Sequence, residues 1–301
     1  MKYIDYNQIR NNLELIKKTN DVVLVVKNNA YGFNVCEIVN IARSLNINEY
    51  AVNTIAEAIE LRKLTNANIL LFGYSIDYID LISKYNIIPC ANSIMEIDLY
   101  TKNNIIFALE IDAGMNRFGI KNFNEKLLNN RYLKEIFAHF HNDNIDYNLI
   151  NYIMRLAHNY NKEFHFGGSK LYSKINSKLR IGKIVYQDSL FLFGRVVMIK
   201  QIEKGESVGY DSLYTADKTE LIAVVDVGYY NGLRVGYNGD VVINHKRYKI
   251  VGKICMNHTF VLIDDNVAIN DKVEFLGKNI KMDEFLKNNN MSEYECFLSI
   301  R

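Results

Sequence analysis

The stretch VVLVVKNNAYG, residues 22–32, decides the fold of this chain. Its first five residues are aliphatic and mostly β-branched, which predicts a short strand buried on both faces, as in a parallel sheet. The strand ends at Lys27, and a lysine in that position either reaches solvent or is held in a site with a lowered pKa. The residues that follow, NNAYG, supply a phenol and a glycine, which suit a ligand contact and an ordinary turn equally well.

Seven further apolar runs of similar length follow along the chain. They are EYAV ending at Val52, NILLFG ending at Gly73, IIPC ending at Cys90, IIFALEI ending at Ile111, IFAHF ending at Phe140, EFHF ending at Phe166 and KLRI ending at Ile181. Amphipathic segments with helical spacing, such as IAEAIELRKL after Thr54, lie between most of them. Strands that alternate with helices predict a parallel sheet, and eight of them within about 180 residues fit a closed (β/α)8 barrel of the TIM type. A doubly wound open sheet is the alternative, because periodicity alone does not distinguish the two.

The pattern changes at about Leu190. Strands then follow one another without intervening helices, in the runs RVVMIKQI, ELIAVVDV, DVVINH, RYKIVGKIC, TFVLID and KVEFLG. Turn signals such as YNGD at residues 237–240 separate them, which predicts an antiparallel β domain. We therefore expect a barrel domain over residues 1–190 and a smaller β domain over residues 191–301.

The composition excludes several classes of function. The 301 residues include 36 basic and 34 acidic side chains, and the formal net charge of +2 gives no electrostatic reason to expect nucleic acid or an anionic membrane as a partner. The N-terminal sequence MKYIDYNQIRNNLELIKK has charges every few positions and no continuous apolar segment. We therefore expect neither a signal peptide nor a membrane span, a cytoplasmic location, and a small molecule as the principal partner.

The cysteines give no sign of a covalent or metal framework. A disulfide framework would need paired cysteines in a small, loop-rich chain, and a zinc site would need closely spaced ones. This chain has four cysteines far apart in sequence, with no Cys-x-x-Cys pair: Cys36, Cys90, Cys255 and Cys296. The spacing predicts reduced thiols in the core and no structural metal.

Candidate functional side chains follow the predicted barrel strands. In a barrel of parallel strands the carboxyl ends share one rim, where catalytic groups collect. Five side chains end or follow strands and are expected to lie together there: Lys27, Arg117, His139, Ser169 and Arg180. Taken singly, Arg117 also suits a surface ion pair, His139 a hydrogen-bonded core histidine and Ser169 a helix cap. We interpret His165 as structural.

Five sequence blocks, in order along nearly the whole chain, resemble the signatures of the alanine racemase family. They are VVKNNAYG (residues 25–32), EIDAGMNRFG (110–119), LRIG (179–182), GESVGYDSLYTADKTELIAVVDVGYYNG (205–232) and GKICMN (252–257). The resemblance implies an amino-acid racemase, an isomerase that uses pyridoxal 5′-phosphate (PLP). It also implies a (β/α)8 barrel followed by a β domain, and a homodimer whose active site is shared between the subunits.

The resemblance gives roles to individual residues. Lys27 carries PLP covalently and acts as one catalytic base, and Tyr210 of the partner subunit acts as the other base on the opposite face of the substrate. Arg180 faces the pyridine nitrogen, and since a guanidinium only donates hydrogen bonds, that nitrogen stays largely unprotonated. His139 lies between the tyrosine and Arg180. The resemblance further implies contacts to the cofactor from Tyr31, Arg117, Ser169, Gly182 and Tyr229, and to the substrate from Arg117 and Met256.

Two departures from the family pattern bear on the site. Glu110 stands where many relatives place a carbamylated lysine, so we hypothesise that its carboxylate holds Arg117 directly. The tail YECFLSIR, residues 294–301, resembles the start of the family's final strand, and the chain stops at Arg301 before the tyrosine-containing stretch that lines the substrate pocket. The expected substrate is alanine, with serine or a larger amino acid as alternatives.

Two other functions on the same type of barrel stay open at this point. A PLP-binding homeostasis protein without catalytic activity generally lacks the β domain and the opposing tyrosine. A basic amino-acid decarboxylase is expected to use an acidic partner at the pyridine nitrogen and a catalytic cysteine in the β domain. Cys255 keeps this last alternative open, whereas Arg180 argues against it.

Overall fold

The computed structural model describes residues 1–140 and 145–301. The chain forms two compact units, one of residues 7–187 and the other of residues 1–6 together with 188–301. The predicted domain limits of 1–190 and 191–301 stay a prediction, because a compact unit is defined by packing and a domain by independent folding.

Eight parallel strands close into a barrel in the unit of residues 7–187. Neighbouring strands pair in chain order, and the last pairs with the first, for example at Leu24 and Ile181, so the sheet has no free edge. This closure confirms the predicted (β/α)8 barrel and excludes the open sheet. With β1 (Lys2–Ile4) assigned to the other unit, the barrel strands are β2 (Val22–Val25), β3 (Glu49–Val52), β4 (Asn68–Leu71), β5 (Ile88–Ala91), β6 (Phe107–Ile111), β7 (Leu133–His139), β8 (Glu163–Gly167) and β9 (Leu179–Ile181).

The barrel strands are short, and four of them, β2, β5, β6 and β9, are buried at every residue. This two-sided burial explains why continuous apolar runs, and not alternating ones, mark them in the sequence. Helices connect most strands, whereas short 3-10 turns follow β8 and β9 at Ser169–Leu171 and Lys183–Tyr186. The helices of this part of the chain are α1 (Tyr6–Lys17), α2 (Lys27–Tyr31), α3 (Val35–Ser44), α4 (Ile55–Leu64), α5 (Ile79–Lys84), α6 (Ile94–Lys102) and α7 (Tyr147–Asn159).

One strand places charged and polar side chains in the barrel interior. Alternate residues of a strand face the same way, so Glu135, Phe137 and His139 share one face of β7. Glu135 and Phe137 are fully buried, and the Phe137 ring stacks on His165 of β8 with 4.7 Å between the ring centroids. Because a carboxylate is seldom fully buried without a charged or hydrogen-bonded partner, Glu135 is expected to have such a partner in the barrel interior.

Antiparallel strands form the other unit, in the order β1-β10-β13-β16-β15-β14-β17, and β10 also pairs with β17 so that the sheet closes on itself. The six runs predicted after residue 190 all form strands. The sequence did not indicate β1, whose three residues are too few to show a period, yet it pairs with β10. The remaining strands are β10 (Leu190–Ile202), β11 (Ser207–Val208), β12 (Tyr214–Thr215), β13 (Glu220–Val225), β14 (Asp240–Ile243), β15 (Lys246–Val251), β16 (Thr259–Ile263) and β17 (Lys272–Leu276).

The C-terminal segment is helical. Two helices, α8 (Met282–Asn289) and α9 (Glu293–Ser299), end the chain, so the tail that was expected to begin a strand forms a helix instead. The cause lies just before it: the Ser292 hydroxyl accepts from the Glu295 N–H, and the Glu295 carboxylate accepts from the Ser292 N–H. This reciprocal capping box starts a helix, and its sequence signature is SEYE at residues 292–295.

The four cysteines are unpaired, but only two of them lie in the core. Cys90 and Cys296 are buried, Cys255 is half-buried and Cys36 is exposed, so the expectation of four core thiols is wrong for two positions. Across residues 1–140 and 145–301, every helix falls short of the length and apolar content that a membrane crossing requires.

Candidate active site at the barrel mouth

We call the rim formed by the carboxyl ends of β2 to β9 the barrel mouth. At this rim an unusual turn follows Lys27 at the end of β2. After Lys27 the backbone is left-handed: Asn28, Asn29 and Ala30 have φ of 53°, 52° and 53°, and Tyr31 has φ of 56°. For residues with a Cβ this conformation costs roughly 1–2 kcal/mol each. Strain of this kind is found where a site needs a fixed geometry. The sequence left an ordinary turn open here, and its only signal was the pair of asparagines, which tolerate this region best.

Hydrogen bonds hold the left-handed turn in place. Within it, the Ala30 N–H donates to the Val26 carbonyl at 2.9 Å and the Gly32 N–H to the Asn28 carbonyl at 2.9 Å. The Asn29 side chain accepts from the Val35 N–H at 2.8 Å, which joins the turn to the start of α3. The turn therefore persists because several bonds over-determine it.

A carboxylate on α4 adds the outside support. Glu57 Oε1 accepts from the Asn28 N–H at 2.6 Å, directly after Lys27. Its other oxygen accepts from the Asn53 and Thr54 N–H groups at 2.9 and 3.1 Å, within the capping box of α4. One side chain thus connects the loops that follow β2 and β3. The spacing Thr54-x-x-Glu57 is a capping-box signature in the sequence, but it gives no sign of the contact with the loop after β2.

The surroundings of Lys27 favour its neutral amine. Burial lowers the pKa of Lys27, and the positive charges of Arg117 and Arg180 lower it further, while Glu57 acts in the opposite direction. A neutral amine is the nucleophilic form. Of the two interpretations of Lys27 from sequence, a lysine held in a site with a lowered pKa is the one that agrees with this environment.

The left-handed turn carries Tyr31 to the loop that follows β9. The Tyr31 side chain is buried, and a Cβ built at Gly182 would lie 2.5 Å from its hydroxyl oxygen. Glycine is therefore required at position 182 for the phenol to lie this close to the backbone. The Tyr31 ring also contacts Tyr186, with 5.5 Å between the centroids. The structure thus brings together Tyr31 and Gly182, two residues that the sequence assigned to one ligand group.

Arg180 is the centre of a buried polar network. Its guanidinium donates to His165 Nε2 at 3.1 Å and to His139 Nδ1 at 3.2 Å. It also lies over two aromatic rings, with Cζ 4.5 Å from the centroid of Phe72 and 4.7 Å from that of Phe137. These contacts replace the water that a buried cation loses.

The network leaves no space for a side chain at Gly167, because a Cβ there would lie 2.5 Å from Arg180 Nη2 and 2.6 Å from His139 Nδ1. It continues inward, since His165 Nδ1 lies 3.0 Å from Glu135 Oε2. The sequence predicts a structural role for His165 and none for Glu135, whereas the structure joins both residues to Arg180 through hydrogen bonds. The pattern Glu135, Phe137 and His139 on one strand face was the signal that would have found the carboxylate.

The hypothesis that Glu110 holds Arg117 directly is wrong. In the described part of the chain no ion pair or hydrogen bond joins the two side chains; Glu110 is buried on β6, and Arg117 is exposed on the following loop. Burial raises the pKa of Glu110, and the charges of Arg180 and then Arg117 oppose that rise. The carboxylate therefore acts at a distance, and on Arg180 more than on Arg117. The loop itself is held by Asp112, whose Oδ1 accepts from two N–H groups further along the loop.

Ser169 begins the short turn after β8, and the residue before it, Gly168, has φ of 141°. The turn is closed by the Leu171 N–H, which donates to the Gly168 carbonyl at 3.1 Å. Gly168, and not Ser169, therefore occupies the capping position. The interpretation of Ser169 as a helix cap does not apply.

The remaining predicted site residues belong to the unit of residues 1–6 and 188–301. The Tyr229 N–H donates to the Cys255 carbonyl at 3.0 Å and the Tyr230 N–H to the Met256 carbonyl at 2.9 Å, so the turns that carry Tyr229 and Met256 lie side by side. Tyr210 is 68% exposed, and Asp211 beside it forms an ion pair with Lys253 at 2.5 Å. Within this unit the structure thus gathers the predicted positions on adjoining loops.

Family comparisons cover both parts of the chain. Residues 4–148 match the family model described as "Alanine racemase, N-terminal domain", and residues 190–301 match "Alanine racemase, C-terminal domain". A curated "Alanine racemase" of Borreliella burgdorferi (strain ZS7) is 27% identical, over 99% of this chain and 94% of the relative. A "Lysine racemase" of Oenococcus oeni is 26% identical, over 87% of this chain and 83% of the relative.

The fold comparison agrees. A solved structure of alanine racemase from Bartonella henselae "with covalently bound pyridoxal phosphate" superposes with a TM-score of 0.84. It covers 100% of this chain and 96% of that chain at 21% sequence identity. At this level of identity the likeness concerns the fold, a TIM-type barrel followed by a unit of antiparallel strands.

The electrostatics of Lys27 can be tested with Arg117→Gln. Because the positive charge of Arg117 lowers the pKa of Lys27, its removal should raise that pKa toward the ordinary value near 10.4. The measurement is a pH titration of the lysine Cε carbon shift by NMR in the ligand-free protein, with Lys27→Met to identify the signal. Arg131→Gln, which also removes an exposed arginine of the barrel unit, is the control and should leave the titration unchanged. A pKa of Lys27 that stays or falls in Arg117→Gln contradicts the assignment.

Proposed function

The chain belongs to the alanine racemase family and is an amino-acid racemase, an isomerase; we propose that it interconverts the enantiomers of alanine with PLP held on Lys27. One observation carries the proposal of the site: the amine of Lys27, its pKa lowered by burial and by two arginines, lies at the barrel end where Arg180 and His139 are joined. A neutral amine is what an aldehyde cofactor requires for attachment.

The residues at the barrel mouth fit PLP. The close approach of Tyr31 to the glycine backbone at 182 leaves a phenol beside a loop that has no side chain in the way, as a phosphate-binding loop needs. Arg180 offers only donors, and its two neighbours among the histidines accept from it, so its guanidinium keeps a full charge to oppose a ring nitrogen. We propose Tyr31, Ser169, Gly182 and Tyr229 for the phosphate, and Arg117, His139 and Arg180 for the ring.

The bound PLP supplies an electron sink that acidifies the substrate α C–H, and the protein supplies the bases. We propose Lys27 as the base on one face and Tyr210 of the partner subunit as the base on the other. The exposure of Tyr210 supports this arrangement, because a phenol that must meet a second subunit has to be accessible in a single chain. Arg117 and the backbone at Met256 then hold the substrate carboxylate.

The same reasoning bears on assembly and location. A site that takes Tyr210 from another copy of the chain is complete only in a homodimer, so we propose a homodimer with a shared active site. We also propose a cytoplasmic location, which the four unpaired cysteines support. Relatives named for alanine and for lysine both match, so a panel of amino acids, with serine and larger side chains included, decides the substrate.

The two alternative functions receive less support. A decarboxylase would use Cys255, but burial raises the pKa of that thiol, which disfavours its reactive thiolate. It would also need an acid where Arg180 stands. A homeostasis protein without catalysis would lack the second unit, whereas this chain has one with a seven-stranded sheet.

Attachment of the cofactor is tested with Lys27→Ala. We expect the purified variant to lose the visible absorbance of covalently held PLP and to lose racemisation by about 100-fold or more, because both the anchor and one base are removed. Absorbance spectra and polarimetric or coupled assays on D- and L-alanine measure the two effects. Lys63→Ala, at an exposed lysine of α4, serves as the control. A Lys27→Ala protein with the parent spectrum would overturn the proposed function.

The two-base assignment is tested with Tyr210→Phe. Loss of the phenol should reduce racemisation about 100-fold or more while PLP still binds, since Tyr210 does not anchor it. Exchange of the α-proton of each enantiomer in heavy water, followed by NMR, is the measurement. Tyr230→Phe removes an exposed phenol on a neighbouring turn and should exchange like the parent. Parental exchange of both enantiomers by Tyr210→Phe contradicts the assignment.

The phosphate loop is tested with Gly182→Ala. The added Cβ collides with the Tyr31 hydroxyl, so the phenol must move, and we expect PLP to bind about tenfold more weakly, equivalent to about 1.4 kcal/mol. Equilibrium dialysis or absorbance titration of the cofactor-free protein gives the dissociation constant. The matched control is Gly236→Ala, because a Cβ at position 236 meets nothing within 4 Å. Equal PLP affinity in the two variants would remove Gly182 from the site.

A further inference from the structure

A line of polar contacts runs along the barrel interior from the amino end of the strands to the mouth. Lys178 Nζ, just before β9, lies 3.5 Å from Glu135 Oε2, and the same oxygen lies 3.0 Å from His165 Nδ1. His165 Nε2 lies 3.1 Å from Arg180 Nη1, and Arg180 Nη2 lies 3.2 Å from His139 Nδ1. The carboxylate is therefore three hydrogen bonds away from the imidazole at the mouth.

The direction of each hydrogen bond in this line is determined. An ionised carboxylate only accepts and a guanidinium only donates, so Glu135 and Arg180 decide which imidazole nitrogen between them carries hydrogen. His165 must donate from Nδ1 to Glu135 and accept at Nε2 from Arg180. His139 must accept at Nδ1 from Arg180, which leaves its own hydrogen on Nε2.

The protonation states agree with this order. Burial lowers the pKa of His165 to about 4, so it is neutral near pH 7 with one hydrogen to place. Burial alone would raise the pKa of Glu135, but the hydrogen bond from His165 and the nearby positive charges lower it to about 2, so the carboxylate is ionised. A charged acceptor therefore faces a neutral donor at the inner end of the line.

Pairing with Lys178 alone does not account for a buried carboxylate at position 135. Lys178 also contacts two other carboxylates at shorter distances, Glu49 at 2.5 Å and Glu163 at 3.1 Å, so Glu135 is one of three charged partners of this lysine. Glu135 Oε1 has no hydrogen-bond partner among the described residues. Because a buried carboxylate costs several kcal/mol that an apolar side chain would not, its contact with His165 is the interaction that accounts for its presence.

We propose that Glu135 is a positioning residue for racemisation, which fixes His165 in the Nδ1–H tautomer and, through Arg180, His139 in the Nε2–H tautomer. This inference rests on the proposed function, in which Arg180 faces the cofactor ring. Glu135 touches neither cofactor nor substrate and acts through two intervening side chains. The orientation of Arg180 at the mouth thus depends on a carboxylate at the inner end of the barrel.

The first test is a direct reading of the tautomers. Two-bond ¹H–¹⁵N NMR spectra of the full-length, PLP-loaded protein labelled with ¹⁵N-histidine distinguish Nδ1–H, Nε2–H and doubly protonated rings, and single His→Gln variants assign the signals. We expect His165 as neutral Nδ1–H and His139 as Nε2–H near pH 7. A protonated His165, or the Nε2–H form of His165, overturns the proposal without any variant having to fold.

The second test compares Glu135→Gln with Glu163→Gln. In Glu135→Gln the amide oxygen should turn to the Lys178 ammonium and its NH2 to His165 Nδ1, which converts His165 to the Nε2–H form and removes the acceptor for Arg180 Nη1. We expect kcat to fall about tenfold or more with KM within about twofold, because substrate contacts are unchanged. Glu163→Gln removes a carboxylate from the same lysine without touching His165, so it should keep the parent tautomers and kcat.

The outcomes separate this proposal from the proposed function. A Glu135→Gln protein with parental kcat and a flipped His165 overturns the positioning role, and so does an equal loss of kcat in Glu163→Gln. A parent protein that shows the two expected tautomers but racemises no amino acid overturns the proposed function instead, and leaves the hydrogen-bond order of the barrel interior intact.

Discussion

The structure of the barrel interior depends on keeping one buried cation paired. Only 7% of Arg180 is exposed to solvent, and an isolated charge in that position would cost several kcal/mol. Five neighbours stabilise the charge: two imidazoles accept from the guanidinium, two phenyl rings lie against its faces, and the carboxylate of Glu110 has the opposite charge. Gly167 is the space that this arrangement needs, since any Cβ there would meet the guanidinium.

The second constraint is the left-handed turn after Lys27, which stores strain at the point where the proposed cofactor is attached. A right-handed helix at this position would leave β2 in the common way, but it would not place Tyr31 against the backbone of Gly182 as the observed turn does. Glu57, from α4, offsets the strain with a hydrogen bond to the first left-handed residue. The loop after β2 is therefore fixed by the helix that follows the next barrel strand, so that the backbone after Lys27 has a defined position before any ligand binds.

Features that depend on residues close together in the sequence could be predicted, whereas features that depend on distant residues could not. The eight barrel strands were predictable because strands buried on both faces have continuous runs of apolar residues. Lys27 was identified because it ends such a run. The left-handed turn, the pairing of β1 with β10 and the contact of Glu135 with His165 join residues whose relation is set by the closed sheet, and local patterns do not report them. The helix at the C-terminus is different, because its capping box is a local sequence signal. The family resemblance predicts a strand there instead, and the local signal is the one that agrees with the structure.

Burial and the charges of the interior both bear on the pKa of the amine at the mouth. Two of the buried carboxylates, Glu110 and Glu135, lie near opposite charges, Arg180 for Glu110 and Lys178 at the inner end for Glu135. Burial is the largest cause of the lowered pKa of Lys27; the positive charges of Arg117 and Arg180 lower it further, and Glu57 only partly opposes them. His165 lies between the two ends: burial lowers its pKa most, its hydrogen bond and charge interaction with Glu135 raise it, and the charges of Arg180 and Lys178 lower it further. In the positioning role that we propose, Glu135 acts on Arg180 through that imidazole, so two hydrogen bonds connect the carboxylate on β7 with the arginine on β9.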